Sequence, residues 1–326
     1  MPHTMRHMGD VLAGIQATWE FDTDSVLIRF ERGIRTPRLL QSLRERRVPH
    51  AALSSVTLTP GKRGTVVLRA VPRPGADPLL EAAAGQLKDG CDPYRLVLPA
   101  ERETLAEYYA DELRARLGPD AGEPAERFLV AAPEAPMRFK AYDGRASFDG
   151  DRISFRWFWT GASSQKWKAG DQTFPVTELS GVEWRSPEAF EGYLRLVPRG
   201  LESTVPAAAE AAGLGDGPGA ALCTGSAHSV RPGAARPTRA DEDPAAVIFG
   251  LGYGPVHESL PFAAAVLESV RRKQSTPAAA TALASAGRRD PADIAERIHH
   301  LGELHQAGLV TDDEFSAKKA QLLAEL

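Results

Sequence analysis

Two stretches of the chain repeat each other and determine how the rest is interpreted. Residues 21–30 are Phe-Asp-Thr-Asp-Ser-Val-Leu-Ile-Arg-Phe, and residues 148–157 are Phe-Asp-Gly-Asp-Arg-Ile-Ser-Phe-Arg-Trp. In each stretch, an aspartate-containing turn leads into alternating β-branched and aromatic residues, which is typical of a strand after a tight turn. Two later blocks match in the same order, 53–56 with 179–182 and 68–73 with 194–199. Because the offset stays at 126 to 127 residues throughout, the sequence predicts a tandem duplication.

Each repeat is predicted to contain several strands and one closing helix. The last strand follows an Asp-Pro pair in both copies, at residues 94–98 and at residues 245–249. Apolar residues at helical spacing then predict the two helices: Leu105, Tyr109 and Leu113, and Phe262, Val266 and Val270. Several strands and one helix in about 100 residues indicate an α+β fold built from two small β-barrels or sandwiches, each capped by its helix. A pleckstrin-homology-like (PH-like) fold fits this description.

The predicted organisation has four parts. The first PH-like domain covers residues 8–118, and the second covers 119–273. The second contains an insertion at about residues 200–242 that is rich in Ala, Gly, Pro and Thr. Since such a segment buries too little apolar surface to offset its ordering entropy, we expect a mobile loop there. A linker at 274–289 then leads to a tail at 290–326.

The tail is predicted to be a helical hairpin. Asp290 and Pro291 are suited to begin its first helix, and Gly308 to end it. Residues 311–314, Thr-Asp-Asp-Glu, form a capping box for the second helix. Two such short helices are marginal alone, so we expect this hairpin to mediate self-association or partner docking. The apolar residues expected at that contact are Ile294, Ile298, Leu301, Leu304, Phe315, Leu322 and Leu323.

Two family resemblances follow from these motifs. The tail, with Leu301, Leu304, Gly308, the capping box and the leucines at 322 and 323, resembles the short C-terminal (SHOCT) domain. The tandem body, with its Asp-turn-strand block and its Val-Pro-Arg block in both copies, resembles the family called domain of unknown function 4429, which is found in actinobacteria. That resemblance implies a PH-like fold, and it implies no activity that could be assigned to particular residues.

Composition excludes several function classes. The 326 residues carry 39 Lys and Arg against 43 Asp and Glu, a net charge of -4, which argues against a general nucleic-acid-binding protein. Two cysteines are too few for a disulfide framework or a cysteine zinc site. The absence of a long apolar run and of a signal-peptide core favours a cytoplasmic protein. We identify no catalytic motif, and the histidine spacing matches no zinc site, so we expect neither a metal nor another cofactor.

Basic residues provide the one candidate binding site. The polar segment between the early strands of the first repeat is rich in arginine, and the corresponding segment of the second repeat places a tryptophan between two lysines. Arginine clusters bind phosphate groups well, and tryptophan suits a membrane interface. An ordinary solvated basic loop explains the same residues. The candidate anion-binding residues are Arg35, Arg38, Arg44, Arg46, Arg47, Lys166, Trp167 and Lys168.

Three functional hypotheses remain open at this stage. The leading hypothesis is a non-enzymatic binding or scaffold protein, in which the repeats dock a ligand or a protein and the tail mediates self-association. The alternative is a peripheral membrane protein that binds anionic lipid through the basic loops. An enzyme with an unrecognised site is the third hypothesis. The leading hypothesis depends on fold analogy.

Overall fold

A computed structural model describes residues 10–200 and 239–275. The first repeat contains, in chain order, β1 (Asp10–Ala13), β2 (Ala17–Phe21), β3 (Ser25–Phe30), α1 (Arg38–Leu43), β4 (Glu45–Pro49), β5 (Leu53–Pro60), β6 (Thr65–Pro72), α2 (Pro78–Ala83), β7 (Arg95–Pro99) and α3 (Glu103–Ala115). Short 3-10 turns lie at His50–Ala52, Asp89–Cys91, Ala100–Arg102 and Pro119–Gly122.

The second repeat follows the same order, except that its described residues include no counterpart of α2. It contains β8 (Met137–Lys140), β9 (Gly144–Phe148), β10 (Arg152–Trp157), α4 (Ser164–Ala169), β11 (Gln172–Pro175), β12 (Leu179–Arg185), β13 (Tyr193–Pro198), β14 (Ala246–Ile248) and α5 (Val256–Ser275), with a 3-10 turn at Val176–Glu178. The insertion predicted at about 200–242 and the linker and tail predicted at 274–326 fall almost entirely outside the described residues.

Each repeat is built from two antiparallel sheets. In the first repeat the strand orders are β1-β2-β3-β4 and β5-β6-β7, and in the second they are β8-β9-β10-β11 and β12-β13-β14. The α+β class and the strand blocks predicted from the sequence are thus confirmed. The closed barrel is wrong for the described strands, because in each repeat they pair into two separate sheets, which a 3-10 turn connects. At the opposite corner a backbone hydrogen bond joins the two sheets, from Ile15 to Val97 in one repeat and from Tyr142 to Ile248 in the other.

The apolar faces of the sheets and helices meet in one continuous core. Along β2, buried and partly exposed residues alternate, as expected for a strand with one face toward the interior. Trp19 and Phe155 are fully buried in the two sheets, and Phe262 of α5 is fully buried as well. Burying a side chain of this size stabilises the fold by about 1.5–3 kcal/mol. Because residues of both repeats belong to the same buried cluster, neither repeat has a separate core.

Polar contacts also join the two repeats. The Gln86 side chain donates to the Trp184 carbonyl (3.0 Å) and accepts from the Ser186 backbone N–H (2.9 Å). Arg271 of α5 forms two hydrogen bonds with Glu81 of α2 and lies 4.2 Å from the Phe128 ring centroid. The described residues 10–200 and 239–271 belong to one compact unit. The two repeats therefore belong to the same unit.

Candidate ligand-binding site

Helix α4 and the loop before it expose two large aromatic side chains. Trp159 is 81% exposed and Trp167 is 58% exposed. The helix begins where the Ser163 hydroxyl accepts the Lys166 backbone N–H, and it ends at Gly170, whose positive φ is readily available to glycine. These two terminal residues fix a short helix of six residues. Exposed tryptophans at such a position are typical of a binding surface.

The exposed aromatic residues border a cleft that contains a lysine. Its volume is about 490 Å³. The Lys140 ammonium lies 5.1 Å from the Tyr253 ring centroid and 5.4 Å from that of Phe158, both within the range of a cation–π contact. We call this space the aromatic cleft. Its lining residues are Lys140, Tyr142, Trp157, Phe158, Trp159, Thr160, Gly161, Trp167 and Tyr253.

A buried ion pair holds one wall of the aromatic cleft. The Lys166 ammonium, which is fully buried, donates to the Asp143 carboxylate at 2.6 Å. The same carboxylate accepts the Ile248 backbone N–H at 3.0 Å, so it connects α4 to β14. Burial lowers the pKa of Lys166 and raises the pKa of Asp143, against their mutual attraction. Lys166 also lies 5.0 Å from the Trp157 ring centroid. The pair thereby positions α4 and its Trp167 beside the cleft.

Arg46 and Lys166 do not occupy the exposed positions that the sequence analysis gave them. Lys166 is enclosed as described above. Arg46 is buried and donates to the Asp77 carboxylate at 2.7 Å, and that carboxylate also accepts from the Tyr94 hydroxyl at 2.7 Å. Both residues form ion pairs inside the protein because each faces the interior from a strand or helix. Neither is available to a ligand at the surface.

The other predicted binding residues are exposed, but they line different surfaces. Arg47 pairs with Asp22 at 2.6 Å. Arg38 borders a cleft of about 370 Å³, and Arg44 borders another of about 780 Å³; both clefts lie between the repeats. Among the predicted residues, Trp167 lines the aromatic cleft. The exposed members of the predicted set are Arg35, Arg38, Arg44, Arg47, Trp167 and Lys168.

Groups suited to catalysis are sparse in the part of the chain that the structure describes. Within residues 10–200 and 239–275, no group of three or more His, Cys, Asp or Glu side chains could hold a metal ion. Burial raises the pKa of the Cys91 thiol, which opposes formation of a nucleophilic thiolate. Burial lowers the pKa of His257, which lies 3.8 Å from Glu258. In the same described ranges, no helix has the length and apolar character needed to cross a bilayer.

The comparison with protein families agrees with the repeat. A family model described as domain of unknown function (DUF4429) matches residues 19–114 and 146–267, one segment in each repeat. The chain belongs to the DUF4429 family. That resemblance, stated from the sequence, is confirmed. No curated protein matches the chain. The SHOCT resemblance of the tail and an actinobacterial origin stay predictions, as do the contacts of Ile294, Ile298, Leu301, Leu304, Phe315, Leu322 and Leu323, which lie outside the described residues.

Most of the aromatic cleft of this DUF4429 chain was not predicted from the sequence. Lys140 and Tyr142 precede the predicted strand block at 148–157, and Trp159 follows it; none of the three was among the predicted residues. Tyr253, in the segment before α5, also lines the cleft. A signal was present in the cluster of aromatic residues at 155–159, which exceeds what a single buried strand needs. Those aromatic residues lie within 20 residues of Lys140, whereas Tyr253 lies 113 residues after it, so the local sequence does not place Tyr253 at the cleft.

Proposed function

We propose that the chain is a non-enzymatic binding protein and that the aromatic cleft of its second repeat is the ligand-binding site. The observation that carries this proposal is the lysine among exposed aromatic rings at the cleft. Each repeat combines a four-stranded sheet, a three-stranded sheet and a C-terminal helix, an arrangement that supports the PH-like description. Proteins of such small β architectures commonly bind ligands at the ends of their sheets.

The lining of the cleft suggests the chemical class of ligand. Lys140 provides a positive charge, while the rings of Trp159 and Trp167 offer apolar surface. An amphipathic anion, with a charged group attached to an apolar chain, uses both features. A small hydrophilic anion would leave the aromatic rings in water, and an uncharged amphiphile would leave the lysine without a partner.

Tryptophan fluorescence tests this proposal directly. We expect saturable binding of monomeric dodecyl phosphate, with much weaker responses to inorganic phosphate and to dodecyl maltoside. The variant Lys140→Gln should weaken binding of dodecyl phosphate about tenfold. Lys168→Gln is the matched control, because it removes the same charge from an exposed residue that does not line the cleft. Equal weakening by the two variants, or no response by the unmodified chain, would reject the aromatic cleft as the binding site.

A second candidate is membrane attachment through the basic loop of the first repeat. Ile34 is fully exposed there, between Arg32 and Arg35. An apolar side chain flanked by cations suits an anionic membrane surface. Arg46 and Lys166 no longer contribute to this hypothesis. The variant Arg32→Thr with Arg35→Thr tests it in the vesicle experiment described below.

The scaffold part of the proposal concerns the tail. We propose that residues 290–326 mediate self-association or partner docking through their apolar stripes. Light scattering of the full chain and of a truncation after Gln274 tests this expectation. A smaller assembly after truncation supports it, and an unchanged stoichiometry contradicts self-association.

A further inference from the structure

The outer face of the four-stranded sheet in the second repeat is strongly cationic. Side chains that alternate with the buried ones point outward from β8, β9 and β10, as the strand period of two requires. Lys140 is paired in register with Arg145, and Arg145 is paired with Arg156. Three cations thus form a row across three neighbouring strands. We call this surface the cationic face; its exposed cations are Arg138, Lys140, Arg145, Arg152 and Arg156.

Few acidic groups offset these charges. Arg156 has Asp171 at 3.4 Å. Among the described residues, Arg138 and Arg145 form no ion pair within 4.0 Å, whereas Arg152 interacts electrostatically with Asp149. Like charges directly opposite each other on paired strands are destabilising. The row is therefore unfavourable in the isolated protein, and an anionic partner would relieve it.

The shape of the charge pattern distinguishes between partners. The cations extend across the strands, which are about 4.8 Å apart, and along them, where outward residues recur about every 7 Å. This is a two-dimensional array on a sheet rather than a line along a groove. The outward side chains between the cations are those of Ser147, Ser154 and Thr173, so aromatic rings on which a nucleic acid base could stack lie at one end of the array, beside Lys140. An extended anionic surface fits this array better than a single nucleic acid strand.

The aromatic residues lie where one end of this array meets the aromatic cleft. Lys140 belongs to both surfaces. Tryptophan side chains concentrate at the interface between lipid headgroups and hydrocarbon. We propose that the cationic face docks on an anionic lipid bilayer, with Trp159 and Trp167 at headgroup level. This inference rests on the proposed function, since the bilayer would supply the amphipathic anion that the cleft binds.

Vesicle sedimentation tests the cationic face. The vesicles contain either equimolar phosphatidylcholine and phosphatidylglycerol or phosphatidylcholine alone. The variant Arg138→Thr with Arg145→Thr should bind the anionic vesicles about twenty-five-fold more weakly than the unmodified chain, a factor of about five per cation. The control, Arg32→Thr with Arg35→Thr, removes the same charge from the first repeat and should change binding less than twofold. Binding of the unmodified chain should also fall as salt is added.

Several outcomes would overturn the inference. They are equal sedimentation of the cationic-face variant and the unmodified chain, loss of binding only in the first-repeat variant, and no binding to anionic vesicles. Tighter binding of single-stranded RNA than of vesicles would assign the face to a different partner. A second variant, Arg138→Gln with Arg145→Gln, keeps long side chains and should reproduce the loss if charge is its cause. Binding of dodecyl phosphate without binding of vesicles would reject the bilayer while leaving the aromatic cleft as the ligand site.

Discussion

In the first repeat the buried Arg46 bonds to Asp77 at 2.7 Å, whereas in the second repeat the buried Lys166 bonds to Asp143 at 2.6 Å. The two pairs do not occupy corresponding positions. With the repeat offset of 126 to 127 residues, Lys166 corresponds to the buried Leu40, and Arg46 corresponds to Gln172. Each repeat thus contains a buried ion pair at a position where the other repeat uses a neutral residue.

The strand framework around these ion pairs is more similar between the two repeats than the ion pairs are. Arg69 pairs with Asp92 at 2.9 Å, and Arg195 pairs with Asp243 at the same distance. A β-bulge interrupts the pairing of β5 with β6 and that of β12 with β13 at equivalent positions. Duplication has preserved the backbone plan, while interior charges and exposed surfaces have diverged. The diverged parts of the second repeat are the parts that form the aromatic cleft.

The outer sheet faces show the same divergence. In the first repeat, Arg29 lies between Glu20 and Glu45 and contacts both, so its charge is compensated. The corresponding face of the second repeat has the row of Lys140, Arg145 and Arg156. Because both faces lie on the same framework, the cationic face does not follow from the fold. It is a property of this one repeat, as expected for a binding surface.

The largest effect is expected from breaking the second repeat's ion pair. Asp143→Ala leaves the Lys166 ammonium buried without its anion, which should lower the free energy of unfolding by about 3–5 kcal/mol. Urea denaturation measures this change. Ligand binding at the aromatic cleft should fall as well, because α4 loses its connection to β14.

Residues of the first repeat provide a control for that variant. The double change Asp143→Gln with Lys166→Leu installs the counterparts Gln16 and Leu40 and removes both buried charges. Neutral replacement of a buried pair is often nearly free of cost, so most of the lost stability should return. If the double variant is as unstable as Asp143→Ala, the cost does not come from the unpaired charge.

Replacing the first repeat's buried arginine should cost less. Arg46→Gln installs the residue of the second repeat, and Asp77 keeps two partners, the Leu79 backbone N–H at 2.9 Å and the Tyr94 hydroxyl at 2.7 Å. We expect a loss of about 2–3 kcal/mol in the free energy of unfolding. The neighbouring exposed pair is the control, since Arg47→Gln should cost less than about 1 kcal/mol. Similar losses in the two variants would contradict the role of burial.

The two equivalent Arg–Asp pairs, Arg69 with Asp92 and Arg195 with Asp243, test how burial changes the contribution of an ion pair to stability. The Arg195 side chain is 19% exposed and that of Arg69 is 53% exposed. Arg195 also has the Glu183 carboxylate at 3.4 Å. Arg195→Met should therefore lower the free energy of unfolding by about 1–2 kcal/mol, and Arg69→Met by less than about 1 kcal/mol. Thermal unfolding measures this difference, and Arg195→Met should lower the melting temperature more than Arg69→Met does. Equal decreases would contradict a role for side-chain exposure.

The sequence predicted the repeat and its strands because those features depend on local patterns. An alternation of two residues and an Asp-containing turn can be recognised within ten residues. Arg46 could have been assigned to the interior from the same alternation, since it shares a strand face with the buried Val48. Lys166 could not, because its partner Asp143 is separated from it by two strands. The aromatic cleft and the cationic face depend on pairing between strands, which no single strand's sequence specifies.

The smallest expected effect is the part of the pH dependence of stability that His50 of the first repeat contributes. His50 is buried, and burial together with the nearby Arg116 lowers its pKa, while Asp22 and Asp24 oppose that shift. At a pH above the ordinary histidine value of about 6.5 the residue is neutral in both the folded and unfolded states. As the pH falls from there toward the lower folded pKa, the unfolded state binds the proton more readily, so stability decreases. The corresponding residue of the second repeat is Val176. Between about pH 7.5 and pH 5, the His50→Val variant should therefore lose less of its free energy of unfolding than the unmodified chain, as measured by urea denaturation. Equal losses in the two proteins would show that a different group is responsible for the pH dependence.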